Sequence, residues 1–190
     1  TTKWQAEKLC QSFYSTYQIP IVILRFFNVY GPHQDFKRKH PPLTGYLIKE
    51  FLTNGTPILH SNGEQRRDYI YVDDLLDICN IVMTNMNAIG EIFNVASGKT
   101  ISVKEIVEKI ASNFYNTNNP IYQSSDKFWN KYPNLFTGSY PLQKIRLIKE
   151  VEKFSLGCTV KSKKYLNWSA KTSYDIGFKN SVNYAKKIGI

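Results

Sequence analysis

Long apolar runs are missing from this chain: none reaches the roughly 18 residues that a membrane-spanning helix needs, so no segment reads as a transmembrane helix. Cysteine is sparse, with three residues at Cys10, Cys79 and Cys158. They are odd in number, far apart and form no CxxC, which excludes a disulfide framework and a zinc site and makes reduced thiols in a cytoplasmic compartment the expectation. His33, His40 and His60 share no metal-ligand spacing, so no metal is expected. Ten glycines and eight prolines are too few for collagen-like or linker-like sequence. No initiator Met and no basic-then-apolar leader opens the chain, which begins Thr1-Thr2-Lys3-Trp4 inside a helical pattern and reads as part of a longer protein.

What is present suffices for a core. The 190 residues are 42% hydrophobic and include 13 Tyr, 11 Phe and 3 Trp, which excludes wholesale disorder. Charge is uneven. Residues 1–100 carry ten Lys/Arg against nine Asp/Glu, whereas residues 101–190 carry fifteen against six. A basic half can grip nucleic acid, attract a smaller anion such as a diphosphate, or form a solvated surface. Fourteen of its fifteen cations are Lys, with Arg146 the exception. Specific phosphate and base readout recruits Arg, so a solvated surface is the favoured reading and no nucleic-acid partner is expected.

The order of elements gives the fold class. Apolar spacing from Trp4 to Tyr17 predicts a helix ended by Pro20. Ile21-Val22-Ile23-Leu24-Arg25-Phe26-Phe27 reads as a strand buried on both faces of a parallel sheet. A helix over 46–52 closes at Asn54-Gly55, and short strands follow at 57–60 and 68–72. Asp73 is expected to cap a helix reaching about Met86, and Glu91–Ala96 is a further strand. Ser102 with Glu105 three residues on forms a capping box for a helix to about Phe114. Helices are also expected at 141–153, 161–166 and 173–188, with a polar and aromatic segment over 115–140. Strands alternating with helices mean an α/β architecture.

Four segments carry the chemistry: Thr1-Thr2-Lys3-Trp4-x-x-Glu7-Lys8, then Leu24-Arg25-Phe26-Phe27-Asn28-Val29-Tyr30-Gly31-Pro32, then Gly63-Glu64-Gln65-Arg66-Arg67-Asp68-Tyr69-Ile70-Tyr71-Val72-Asp73-Asp74, and Phe93-Asn94-Val95-Ala96-Ser97-Gly98. From the residues alone, Arg67 offers a planar fork suited to a diphosphate. Asn28 offers donor and acceptor at a strand end, where open α/β sheets bind ligands. Arg25 within an apolar strand requires an ion-pair partner, Arg66 reads as solvated, and Asp68 as orienting Arg67 or the hairpin. In this order, with Leu166-Asn167-Trp168-x-x-Lys171-Thr172-Ser173, the segments resemble the later half of the extended short-chain dehydrogenase/reductases, specifically the NAD-dependent nucleotide-sugar epimerase/dehydratase family that includes UDP-glucose 4-epimerase. The resemblance covers about residues 1–112 and 155–185.

The resemblance implies the last strands of a Rossmann-type parallel sheet plus a smaller C-terminal substrate-binding α/β lobe. Residues 1–35, with a strand near 91–97, belong to the NAD-binding domain, and 36–190 mainly to the lobe. It implies NAD in preference to NADP, a UDP-sugar substrate, a homodimer and a role in carbohydrate metabolism. Lys3 matches the Lys of a Tyr-x-x-x-Lys pair whose Tyr falls two residues before Thr1, so Lys3 is catalytic and also contacts the cofactor's ribose. A nearby ammonium favours phenolate and makes a tyrosine usable in proton transfer. Phe26 and Phe27 border the nicotinamide, with core packing expected for at least one of them. Phe27 and Asn28 reach the nucleotide-sugar, Leu59 and His60 meet the base, Arg67 binds the diphosphate, and Arg146 is a further phosphate candidate. The sequence departs from the family at Leu156-Gly157-Cys158, where Gly-Asp is common, and it has no Gly-rich pyrophosphate turn. The expected activity is epimerisation through a 4-keto sugar, with a 4,6-dehydratase or decarboxylase on the same scaffold, or a non-catalytic basic binding module, as alternatives. These 190 residues alone are expected to be inactive.

Overall fold

A computed structural model describes residues 2–115 and 117–190. Thr1 of the opening motif and Asn116 of the polar segment lie outside the described residues. The chain divides into two compact units, each built from three stretches.

Unit 1 comprises Thr1–Val29, Asp68–Lys99 and Leu156–Thr172. It opens with α1 (Thr2–Tyr17), followed by β1 (Ile23–Phe26) and the first residues of β2 (Asn28–Tyr30). The chain returns to this unit through β5 (Tyr69–Tyr71), preceded in unit 2 by β3 (Ile58–Leu59) and β4 (Arg66–Arg67). β5 runs into α3 (Val72–Thr84) and then β6 (Ile92–Val95). β1 pairs with β6 in parallel, Ile23 opposite Ile92 and Phe26 opposite Val95. Two parallel strands cannot be joined by a tight turn, and α3 precedes β6 on the crossover between them. The core gathers Ile70, Ile78, Phe93, Val95, Leu166 and Trp168, with Leu24, Leu75 and Val82 packed on it. Each large side chain buried here is worth about 1.5–3 kcal/mol.

Three details differ from the sequence reading. β1 is shorter than the apolar run and is not buried on both faces: Ile23 and Leu24 are half-buried, Arg25 and Phe26 exposed. Arg25 does have the partner its position demands, a two-pronged pair with Glu7 on α1 at 2.8 and 2.6 Å. Asp73 does not cap α3. Tyr71 holds the N-cap position without a side-chain bond, and Asp73 lies exposed in the first turn. Asp74 is buried instead, accepting the backbone N–H groups of Lys171 and Thr172 at 3.0 and 3.1 Å. It therefore ties α3 to the end of the segment that carries α7 (Val160–Leu166).

Unit 2 comprises Tyr30–Arg67, Thr100–Ser155 and Ser173–Ile190. It holds α2 (Leu43–Leu52), β3, β4, β7 (Ile101–Ser102), α4 (Val103–Ala111), β8 (Ile121–Tyr122), α5 (Asp126–Trp129), α6 (Lys144–Val151) and α8 (Tyr174–Lys187). β4 pairs antiparallel with β7, and β3 pairs in parallel with β8. Helices α2, α4 and α8 pack on one another. They do so through Leu47, Ile48 and Phe51, through Ile106 and Ile110, and through Phe178 and Val182, all buried. The capping box is as the sequence predicts: Ser102 Oγ accepts from Glu105 N at 3.1 Å, and Glu105 Oε2 accepts from Ser102 N at 2.7 Å. The N–H bond from Ser102, supported by its hydroxyl and by Arg66, holds the Glu105 carboxyl below the ordinary carboxylate range against the opposing effect of burial. No helix among the described residues is long and apolar enough to cross a membrane.

Candidate functional site

In unit 1 the candidate residues lie along α1 and at the carboxyl end of β1. Lys3 is exposed one residue into α1. Phe26 ends β1 with 53% of its surface exposed. Phe27 sits in the break between β1 and β2, half-buried, its N–H donating to Val95 O at 3.1 Å. Asn28 begins β2 and gives both its N–H and its side-chain Nδ2 to Asp68 O, at 3.4 and 2.7 Å. The strand thus closes against β5 through Asn28, and the asparagine amide is fixed by a main-chain carbonyl. The carboxyl ends of parallel strands are where open α/β sheets receive ligands.

Asp68 does something the sequence reading missed. Its fully buried carboxylate takes Ser97 N at 2.8 Å, Ser97 Oγ at 2.7 Å, Gly98 N at 3.0 Å and Gly157 N at 3.1 Å. Four donors suit an acceptor-only group. The available signal was an acid placed directly before the apolar strand Tyr69-Ile70-Tyr71, where an isolated charge is costly.

In unit 2 the candidates divide. Leu59 is buried, and its carbonyl accepts Gln123 N at 2.9 Å across the β3–β8 pair. His60 is half-buried, with Nδ1 3.3 Å from Gln123 Nε2 and its ring edge-on to Phe128 at 5.2 Å. Burial, reinforced by the Lys131 charge, pushes the His60 imidazole below its ordinary value. His60 opens onto a cavity of about 730 Å³ lined by Ser61, Asn62, Glu64, Gln65 and Arg66, by 122–126, and by Ile148, Val151, Glu152 and Phe154. That volume lies within the range of small-molecule sites. Gln65 contributes a buried side-chain oxygen without a hydrogen-bond partner among the described residues. The sequence reading named His60 here but not Gln65, Tyr122, Gln123 or Phe154, because residues 57–66, 122–126 and 148–154 meet only in the fold.

The two adjacent arginines have different partners. Arg66 is half-buried and partnered rather than freely solvated. It pairs with Glu105 at 2.9 Å, donates to Thr100 O and Oγ1 at 3.2 and 3.3 Å, and lines the cavity. Arg67 is outside the lining, its Nη2 donating to Glu150 O at 2.7 Å and lying 3.6 Å from Glu150 Oε1. Alternation along β4 explains the split, since successive side chains point to opposite faces. Arg146 is exposed on α6 and has no ion pair among the described residues. Among those residues no group of three or more His, Cys, Asp or Glu side chains could hold a metal.

Comparison with known proteins adds four findings. The model of the NAD dependent epimerase/dehydratase family matches residues 1–96. The chain is 36% identical over 110 residues to an uncharacterised UDP-glucose epimerase of Bacillus subtilis, covering 57% of this chain and 33% of that protein. It is 28% identical over 188 residues to dTDP-D-glucose 4,6-dehydratase of Mus musculus, covering 98% and 47%. Among solved structures, UDP-glucuronic acid 4-epimerase from Bacillus cereus, in complex with UDP-glucuronic acid and NAD, superposes with a TM-score of 0.73 at 26% identity, covering 98% of this chain and 52% of that one. The chain therefore spans between a third and about half of the length of these relatives.

Proposed function

Because the chain belongs to the NAD dependent epimerase/dehydratase family, we propose that it carries the nucleotide-sugar-binding part of an NAD-dependent epimerase acting on a UDP-sugar. The observation that carries this reading is the unit 2 cavity beside His60. It combines apolar walls from Phe154, Ile148 and Val151 with the polar side chains of Asn62, Arg66 and Gln123. A uracil ring presents flat apolar faces with two carbonyl acceptors and one imide N–H on its edge, which match a pocket lined by both apolar and polar side chains.

Each unit is assigned its part. In unit 1 the residues fit a nicotinamide cofactor: Lys3 offers an exposed ammonium, and Phe26 leaves an apolar ring open at the carboxyl end of a parallel pair. Bound there, NAD would supply a hydride acceptor and donor for a sugar carbon. Lys3 supplies a cation whose field eases removal of the sugar hydroxyl proton. Phe27 and Asn28 hold the sugar. In unit 2, Leu59 and His60 hold the base, Arg67 the diphosphate and Arg146 an outer phosphate oxygen. For Arg67 to do so, it must exchange the Glu150 carbonyl for the ligand anion.

The finer properties follow from the same reading. The free thiols of Cys10, Cys79 and Cys158 suit a cytoplasmic protein. α1 buries none of its residues and exposes Trp4, Leu9 and Tyr17, a surface that suits a homodimer contact. A 4,6-dehydratase is the second reading, favoured by the similarity to the mouse enzyme along nearly the whole chain.

Isothermal titration of the 190-residue chain with UDP, UDP-glucose and dTDP tests the proposal. Saturable binding of UDP is expected, weakened about tenfold or more in Arg67→Ala, since a hydrogen bond to a charged group is worth about 1.5–3 kcal/mol. Tighter binding of dTDP than of UDP favours the dehydratase reading. No saturable binding of any of the three sinks both.

A further inference from the structure

Asp68 is the one fully buried charged side chain of unit 1 among the described residues, and nothing in the reaction proposed above uses it. Its hydrogen bonds reach the segment after β6 and the segment at Gly157, as well as Asn28 itself. Oδ1 takes the N–H and hydroxyl of Ser97. Oδ2 takes the N–H of Gly98 and of Gly157. The carbonyl of the same residue accepts the Asn28 side-chain amide at 2.7 Å. Gly157, pinned by the carboxylate, is the floor for the Phe27 ring: a Cβ added there would lie 3.2 Å from Phe27 Cε2 and Cζ and 2.2 Å from Ala96 Cβ. One acidic side chain therefore determines where the backbone carbonyl that grips Asn28 sits, and where the surface that supports Phe27 sits.

We propose that Asp68 is the positioning residue of the ligand-contacting pair Phe27–Asn28. It acts through its own carbonyl on Asn28 and through Gly157 on Phe27. The inference rests on the reading of those two residues as sugar contacts. The chemistry requires an acceptor on all sides. Four donors converge on the carboxylate, so replacing one oxygen by an NH₂ sets donor against donor at Gly98 and Gly157 or at Ser97. The segment that begins β5 then shifts, and the Asn28 amide shifts with it. Asp74 is a natural control in the same unit. It is also a buried acid accepting backbone N–H groups, but from Lys171 and Thr172, at the far end of the segment from Gly157.

The test compares Asp68→Asn and Asp74→Asn with the parent chain. Two readings are taken at a temperature where circular dichroism shows each protein folded. The first is the side-chain amide resonance of Asn28 in a ¹H–¹⁵N spectrum, assigned by its disappearance in Asn28→Asp. The second is the affinity for UDP-glucose by titration. Both substitutions are expected to lower the melting temperature. Only Asp68→Asn is expected to move the Asn28 resonance and to weaken UDP-glucose by about tenfold or more. If Asp68→Asn keeps the parental Asn28 resonance and affinity, the residue is merely structural and the proposal is overturned. The proposal is overturned as well if Asp74→Asn moves both to the same extent. Should Asp68→Asn fail to fold, Ser97→Ala removes one donor to the carboxylate and leaves the others in place; an unmoved Asn28 resonance in it overturns the proposal. If the parent chain binds no UDP-glucose, the sugar-contact reading fails, while the resonance still decides whether Asp68 positions Asn28.

Discussion

A single imidazole shows how burial sets chemistry in this chain. His60 lies half-buried beside Phe128 and Gln123, and desolvation, aided by the Lys131 charge, lowers its proton affinity relative to an ordinary histidine at 6.5. The unfolded chain restores the ordinary value. Between the two values the unfolded state holds more protons, so stability is intact above the ordinary value and falls as pH drops below it. The melting temperature should therefore decline on going from about pH 7.5 to about pH 5.5, and His60→Gln should show a shallower decline. Identical slopes for the two proteins would mean that His60 sits in a water-like environment. Asp68 and Asp74 make the complementary point. Both are acids in a short stretch of polar and aromatic character. Their partners lie 29, 30 and 89 residues away for Asp68, and 97 and 98 residues away for Asp74. Neither role can be read from neighbours in sequence.

At the scale of elements, what was legible is what is local. The Ser102–Glu105 box is closed by residues three apart, and the structure shows both of its hydrogen bonds. Ser102→Ala should destabilise unit 2 by about 1 kcal/mol, read as a lower urea midpoint with an unchanged slope. A change below a few tenths of that would mean water caps α4 equally well. α1 likewise follows from its apolar spacing, and α7 ends at Asn167, whose φ of 51° is a conformation asparagine tolerates. Strand burial was less legible. The apolar run 21–27 predicts two covered faces, but covering depends on neighbours that no strand specifies. In the described residues β1 meets β6 alone and leaves Phe26 exposed. Arg66 and Arg67 show the same limit at β4: two identical side chains are separated by strand alternation, one to Glu105 and the cavity, the other to Glu150.

At the scale of the whole molecule, the net charge of +10 is the property that most suggests a polyanionic partner. Its carriers argue otherwise, since fourteen of the fifteen cations in residues 101–190 are lysines and several of them pair with acids, among them Lys109 with Asp175 and Lys153 with Glu150. A diphosphate engages one or two cations, so UDP affinity should fall by less than about tenfold between about 50 and 200 mM salt, whereas a polynucleotide contacting 6–10 sites would lose roughly 10³–10⁵. A steep salt slope for UDP, or tight binding of single-stranded DNA that survives added UDP, would return the basic half to a nucleic-acid role. The α/β class, the Ser102–Glu105 cap and the motif order pointing to the family were determined by sequence alone, because periodicity, capping boxes and motif spacing act over a few residues. Only the tertiary structure decided that the Asp68 carboxylate gathers Ser97, Gly98 and Gly157, that Arg66 rather than Arg67 lines the cavity, and that residues 60–66, 122–126 and 148–154 meet around it. Those facts depend on which backbone N–H or side chain arrives from tens of residues away, and a buried polar group takes its role from the partners that reach it.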